Sequence, residues 1–227
     1  MTWGTITEEG LAAAEQLINV PLRRDRMQWI EEITVDSIRH FAWGIGDNNP
    51  LWLDRKYASQ SVHGVLVAPP CILYAVDGTV VAPKLPGVQW IYAGTSWTWF
   101  EPILLNDKFN VEARLKKQEV KSGRRFSKWV LQTGEINYFN QHGRMTGKAI
   151  ARCARTPRGE ALKKEKQSKP FKPSATHSYS NKEIEEIENQ VLQEPRRGSE
   201  PFFWGDVSIG EIVPQVVRGP LGVVDIM

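Results

Sequence analysis

Residues Val65–Pro83, VLVAPPCILYAVDGTVVAP, are apolar on nearly every side for about three turns and begin just before a pair of prolines. A helix without a polar face belongs inside a core, and proline is tolerated in a first turn, where the missing N–H has no helical partner. The stretch predicts a central buried helix from Pro69 to about Val81, closing at Gly78 or Pro83. Beyond it the apolar spacing changes from helical to alternating. GVQWIYAGTSWTWFEPI, KFNVEARLKKQEVKSG, RRFSKWVLQTGEINYFNQHG and RMTGKAIARCARTP alternate apolar with polar residues and are parted by the turn signals LLND, KSG and NQHGR. These segments read as four long antiparallel strands joined as a meander. A sheet with one apolar face needs a partner layer, so the fold class is α+β: an antiparallel sheet wrapped around one central buried helix.

Upstream, TEEGLAAAEQLIN predicts a helix from about Thr7 to Ile18, with Thr7 as its cap. ITVDSIRHFAWGIG sets Ile33, Ile38, Phe41 and Ala42 on one stripe of a second helix that stops at glycine; His40 lies on its amphipathic surface. Downstream of Pro157 the composition turns to Lys, Ser and Pro through about Ser180, a linker. SNKEIEEIENQVLQEP predicts a short acidic helix capped by Ser180, and EPFFWGDVSIGEIVPQVVRGPLGVVDIM has an aromatic lead, a glycine turn and a Val-rich strand. The organisation expected is an N-terminal helical extension (1–24), a main domain (25–157), a linker with the acidic helix (158–195) and a docking tail (196–227).

Hydrophobic residues at 41% and charged residues at 24% suit a soluble folded chain. A formal charge of +3, concentrated in the linker, argues against a nucleic-acid face. Cys71 and Cys153 lie far apart without metal-ligand spacing, which fits a reducing cytoplasm and leaves no metal site. The start of the chain lacks a basic, apolar leader and no run reaches membrane-spanning length.

The second helix feeds GIGDNNPLWLD, Gly44 to Asp54. Aspartate, asparagine and proline so spaced initiate turns through side-chain hydrogen bonds. In order, the helix, this loop, GVLVAPPCILYA and the four strands resemble the hot-dog fold of the MaoC-like enoyl-CoA hydratases and dehydratases, and most of all their N-terminal, fatty-acid-synthase-like dehydratase domain. The resemblance covers roughly residues 25 to 157, and the tail from about Phe202 is similar to the start of a second hot-dog.

That resemblance implies a loop of the pattern Gly-Asp-x-Asn-Pro-x-His, in which aspartate and histidine activate the water added to an enoyl thioester. It also implies a backbone N–H at the start of the central helix that polarises the thioester carbonyl. Gly46, Asp47, Asn49 and Pro50 match, and Trp52 stands in the histidine position. An indole donates one hydrogen bond and cannot carry a proton at neutral pH. At the helix start, Ala68, Pro69, Pro70 and Cys71 replace the usual His-Gly, and proline offers no N–H. His63 is the nearest histidine in sequence to that start, though a lone loop histidine is more often solvated or packed.

The resemblance thus implies an acyl-binding half of an enoyl-CoA hydratase, using no cofactor, whose Asp/His pair sits on a partner hot-dog chain with the intact loop. Self-association through an edge strand is the other arrangement. Asp47 is the candidate catalytic group; Asn49, Trp52, His63, Ala68, Pro69, Pro70, Cys71, Trp97 and Trp99 are the candidate acyl-CoA contacts. A non-enzymatic acyl-CoA binding or scaffolding protein is the alternative. A thioesterase using Asp77 is a further one, but Asp77 precedes Gly78 and is expected near solvent at the helix end. Trp43, Trp52, Trp90, Trp97, Trp99 and Trp129 are core fillers or the lining of a pocket for a bulky, ring-bearing acyl group. Arg124, Arg125 and Lys128 are candidates for CoA phosphates, or a solvated strand edge.

Overall fold

The computed structural model describes residues 4–22, 28–123, 126–158, 177–194, 198, 200, 203–212 and 216–217. The chain divides into two compact units, Met1–Lys169 and Pro170–Met227. No helix among the described residues is long and apolar enough to cross a membrane.

In the first unit Thr7 caps α1 (Glu8–Glu15), accepting the Gly10 N–H, and Thr34 caps α2 (Val35–Gly44) in a reciprocal box with Ser37. Two single-turn helices follow, α3 (Pro50–Leu53) and α4 (Arg55–Ser59). Then come β1 (Val67–Ala68), a tight turn of helix at Pro70–Ile72 and α5 (Leu73–Val76). The long strands are β2 (Gln89–Trp99), β4 (Asn110–Lys121), β5 (Trp129–Phe139) and β6 (Met145–Thr156), with β3 (Ile103–Leu104) between the first two.

The helical segment over Pro70–Val76 buries Ile72, Leu73 and Val76 against the sheet while Pro70 and Tyr74 stay exposed, and it ends at Val76 instead of Val81. The carbonyls that a longer helix would use are taken: Val76 O accepts the Trp29 N–H at 3.0 Å and Asp77 O accepts the Tyr138 hydroxyl at 3.2 Å. The next residues, Gly78 and the β-branched Thr79, Val80 and Val81, also favour extended backbone. Asp77 is 1% exposed, not near solvent as expected; its Oδ1 accepts the Gly78 N–H at 2.7 Å.

All four strands exist and pair antiparallel, yet the order β2-β6-β5-β4 is not a simple meander. Only β4, β5 and β6 follow one another; β2 pairs with β6, at the far edge. The LLND segment is a crossover, not a hairpin turn. β3 pairs with β1, and Asn106 and Asp107 bond the backbone of Ile33 at 2.8 Å each, which carries the chain across the sheet before β4 starts.

The core lies between the helical segment and the sheet: Ile72, Leu73 and Val76 against Leu115, Ile136, Tyr138, Ala149 and Ala151. Close approach requires glycine opposite the helix layer, since a Cβ on Gly147 would overlap Leu73 and one on Gly134 would overlap Val81. The outer edge of β4 is covered by the N-terminal segment, with Asn19 and Leu22 N–H groups donating to Leu115 O and Ala113 O at 2.8 Å. The outer edge of β2 has no such cover among the described residues.

In the second unit the expected acidic helix is present as α6 (Asn181–Leu192), boxed by Ser180 and Glu183. Most of the linker, Phe202 and most of the Val-rich run of the tail lie outside the described residues.

Candidate functional site

The loop after α2 is shaped by its own side chains. Gly46 takes a φ of 67°, and the Asp47 N–H returns to Ala42 O at 2.8 Å. Asp47 Oδ1 accepts the Asn49 N–H and Asn49 Oδ1 accepts the Leu51 N–H, each at 3.0 Å. Successive side-chain turns thus hand the chain into α3, with Asn49 as cap and Pro50 in the first turn. The turn reading of GDNNPLW therefore holds as local structure. Trp52, on α3, directs its indole back at the loop, and its Nε1–H donates to Asp47 Oδ2 at 2.9 Å. Both carboxylate oxygens of Asp47 already accept an N–H.

The start of the buried helix meets this loop. α3 lies against β1, the strand that leads into the helix. Burial pushes the Cys71 thiol above its ordinary pKa; its own backbone N–H acts the other way, and the negative charge of Asp47 raises it again. Asp47 and Cys71 are therefore electrostatic neighbours. Ala68 is fully buried in the main core, Pro69 is buried and Pro70 is exposed. Pro70 O accepts the Trp99 Nε1–H at 3.0 Å, which brings β2 to the same place.

The tryptophans divide. Trp52 and Trp97 pack on the main core, whereas Trp43 and Trp90 are each 59% exposed, which core filling does not account for. Trp97 stacks on Trp99 at 5.7 Å between ring centres, is met edge-on by Tyr74 at 5.0 Å, and lies 5.5 Å from the Tyr138 ring. The pair shares one strand face, as the alternation predicts.

Not every candidate joins the cluster. His63 sits half-buried in a turn where its backbone N–H meets Ser61 Oγ at 3.2 Å, and its ring makes no hydrogen bond or ion pair among the described residues. His40 is exposed beside Trp43, at 6.0 Å between ring centres. Lys128 pairs with Glu8 at 2.6 Å, while Arg124 and Arg125 lie outside the described residues. Among those residues no cluster of three or more His, Cys, Asp and Glu is arranged to hold a metal ion.

Sequence reasoning missed a row of hydroxyls beside the tryptophan pair: Tyr74, Tyr92, Thr95 and Thr79. Their assembly depends on a bulge between Tyr92 and Thr95, where Gly94 has a φ of 107°. A glycine inside an alternating strand was the available signal.

A family model described as FAS1-like, dehydratase domain region, matches residues 24–147. Among solved structures, the ChsH1-ChsH2 complex from Mycobacterium tuberculosis is similar with a TM-score of 0.53 at 16% identity, over 67% of this chain and 99% of that one. The MaoC-like dehydratase from Rhodospirillum rubrum gives 0.45 at 23% identity, over 59% of this chain and 92% of that one. The R-hydratase PhaJ1 from Pseudomonas aeruginosa gives 0.44 at 20%, over 70% and 94%. No curated protein sequence matches the chain. The fold is the hot-dog, a sheet wrapped on one buried helical segment, as the order of elements predicted.

Proposed function

Because the chain belongs to the FAS1-like dehydratase-region family, matched over residues 24–147, we propose that it is the acyl-binding half of an enoyl-thioester hydratase whose Asp/His pair is carried by a partner hot-dog chain. The observation that carries this reading is the bond from Trp52 Nε1 to Asp47 Oδ2 at 2.9 Å. Hydration needs a group that takes a proton from water and a group that returns one to carbon. The indole in the histidine position donates only, and it occupies one oxygen of Asp47 while the Asn49 N–H occupies the other. At the helix start the two prolines leave the Cys71 N–H as the first donor for a thioester oxygen. In this reading Asp47, Asn49 and Trp52 keep the shape of the loop, and Pro70, Cys71, Trp97 and Trp99 line the acyl group. His63 has no catalytic part.

The partner is proposed to pair with the outer edge of β2. Its sequence, QWIYAGTSWTW, has no charged residue and no proline over 11 residues. An uncovered edge of that composition adds strands from other molecules unless a native partner fills it. The name of the ChsH1-ChsH2 structure describes a complex, the arrangement proposed here.

The test is a crotonyl-CoA and longer enoyl-CoA hydration assay with the purified chain alone and mixed with a hot-dog chain bearing Gly-Asp-x-Asn-Pro-x-His. Saturated acyl-CoA is expected to bind the single chain without turnover, and hydration is expected in the mixture. Turnover by the chain alone that persists in Asp47→Ala overturns the reading. Acyl-CoA binding with no turnover in any mixture would instead leave a binding protein.

A further inference from the structure

The face of β2 turned toward the helix forms a continuous wall that leads away from the Asp47–Cys71 site. It starts at Trp99, whose indole N–H is held by Pro70 O at the helix start, continues through Trp97 and Tyr74, and ends at Tyr92. The bulge at Ala93–Gly94 makes this possible. Tyr92 stands opposite Cys153, and Thr95, Trp97 and Trp99 stand opposite Ala151, Ala149 and Gly147, all on the helix side. In a regular strand of the same length, without the bulge to absorb the extra residue, Trp97 and Trp99 would face away from Tyr92.

The far end of the wall is polar. Tyr74 Oη and Tyr92 Oη lie 3.3 Å apart, the Tyr92 hydroxyl donates to Thr95 Oγ1 at 2.8 Å, and Thr95 Oγ1 lies 3.4 Å from Thr79 Oγ1. Each hydroxyl carries one donor and two acceptor positions, so these contacts leave capacity unused. Tyr74 and Tyr92 are 40% and 48% exposed, while Thr79 at the inner end is 5% exposed. The Trp97 indole N–H, in the middle of the wall, is buried with no acceptor among the described residues. A row that served only to pin the bulge would have no reason to leave its outer hydroxyls open to solvent or a donor idle beside them.

Resting on the acyl-binding reading above, we infer that this wall holds a flat acyl group and that the Tyr74–Tyr92 hydroxyls bind an oxygen at its far end. The substrate class is therefore a ring-bearing acyl thioester with a distal hydroxyl or carbonyl. Cys71 and Tyr74, three residues apart, are separated by about 4.5–6 Å of helical rise, to which the tyrosine side chain adds its own reach. A phenyl ring with a para oxygen on a short linker is of that length. The stacked indoles supply the faces against which such a ring packs.

Two saturated ligands that cannot be hydrated test this: 3-phenylpropionyl-CoA and 3-(4-hydroxyphenyl)propionyl-CoA, titrated calorimetrically into the purified chain. One hydrogen bond to a ligand hydroxyl predicts about tenfold tighter binding of the hydroxylated ligand. In Tyr92→Phe and Tyr74→Phe that ratio is expected to fall toward 1, with phenylpropionyl-CoA affinity unchanged, which also certifies the fold. Equal affinities in the wild type, or a preference that survives both substitutions, overturn the inference and leave the acyl-binding reading standing. No binding of either ligand overturns the inference, and the acyl-binding reading falls with it only when a saturated aliphatic acyl-CoA also fails to bind. Self-association that Tyr92→Phe weakens without ligand assigns the wall to a second copy and overturns it too.

Discussion

Trp52 acts as a clamp on its own loop. Its indole closes on Asp47 while Asn49 closes on the other oxygen, so the carboxylate is held as a structural acceptor of two N–H groups. The thiol of Cys71 reports on this carboxylate. Burial is the larger cause of its raised pKa and the Asp47 charge adds to it. In Asp47→Asn that added repulsion disappears, the pKa falls, and more thiolate is present at a given pH. Alkylation of Cys71 by iodoacetamide at pH 8 is expected to speed up about threefold. Cys153, 1% exposed, contributes only a slow background. An unchanged rate would mean that the two side chains are not electrostatic neighbours in solution.

Among the elements, β2 shows how local pattern and global path diverge. Its alternation was legible, and the face shared by Trp97 and Trp99 followed from it. Its position was not legible, because pairing with β6 instead of β4 depends on the crossover through β3. The central helix diverges in the same way. Its apolar character was readable, but Trp29 and Tyr138, distant in sequence, take the carbonyls that would have prolonged it. The bare edge leads to a prediction. Ile91 is 44% exposed and stands opposite Ala154, so Ile91→Lys places a charge on the edge without touching the core. Association, measured by sedimentation for the chain alone and with a motif-bearing partner, is expected to weaken at least about tenfold while the circular dichroism spectrum stays the same. Unaltered association would locate the interface elsewhere.

The first unit as a whole is closed at one end by a buried arginine. Arg155, 3% exposed, spreads its guanidinium over Ala82 O, Lys84 O, Leu85 O, Val88 O and Gln132 Oε1, at 2.7 to 3.3 Å. The loop it grips is strained, since Lys84 and Leu85 take φ values of 60° and 54°. Leu85 also anchors α1 through Leu11 in a second small core with Val88 and Val130. Arg155→Lys keeps the charge but cannot fork over these carbonyls, leaving several buried acceptors without donors. A loss on the order of 3 kcal/mol is expected in urea unfolding, with both the loop and the N-terminal helix loosened. A loss under about 1 kcal/mol would mean that the carbonyls find other partners.

Residues a few positions apart were enough to read the spacing of apolar residues, the caps at Thr7 and Ser180, and the absence of imidazole from the Asp47 loop. All of these are properties of residues a few positions apart, where steric and hydrogen-bonding preferences act directly. It took the assembled fold to settle that β2 lies beside β6, that the helix stops at Val76, that Cys71 comes within electrostatic reach of Asp47, and that hydroxyls of Tyr74, Tyr92, Thr95 and Thr79 meet. Those contacts join segments far apart in the chain, and local periodicity carries no record of which edge or end a segment will reach once the core has formed.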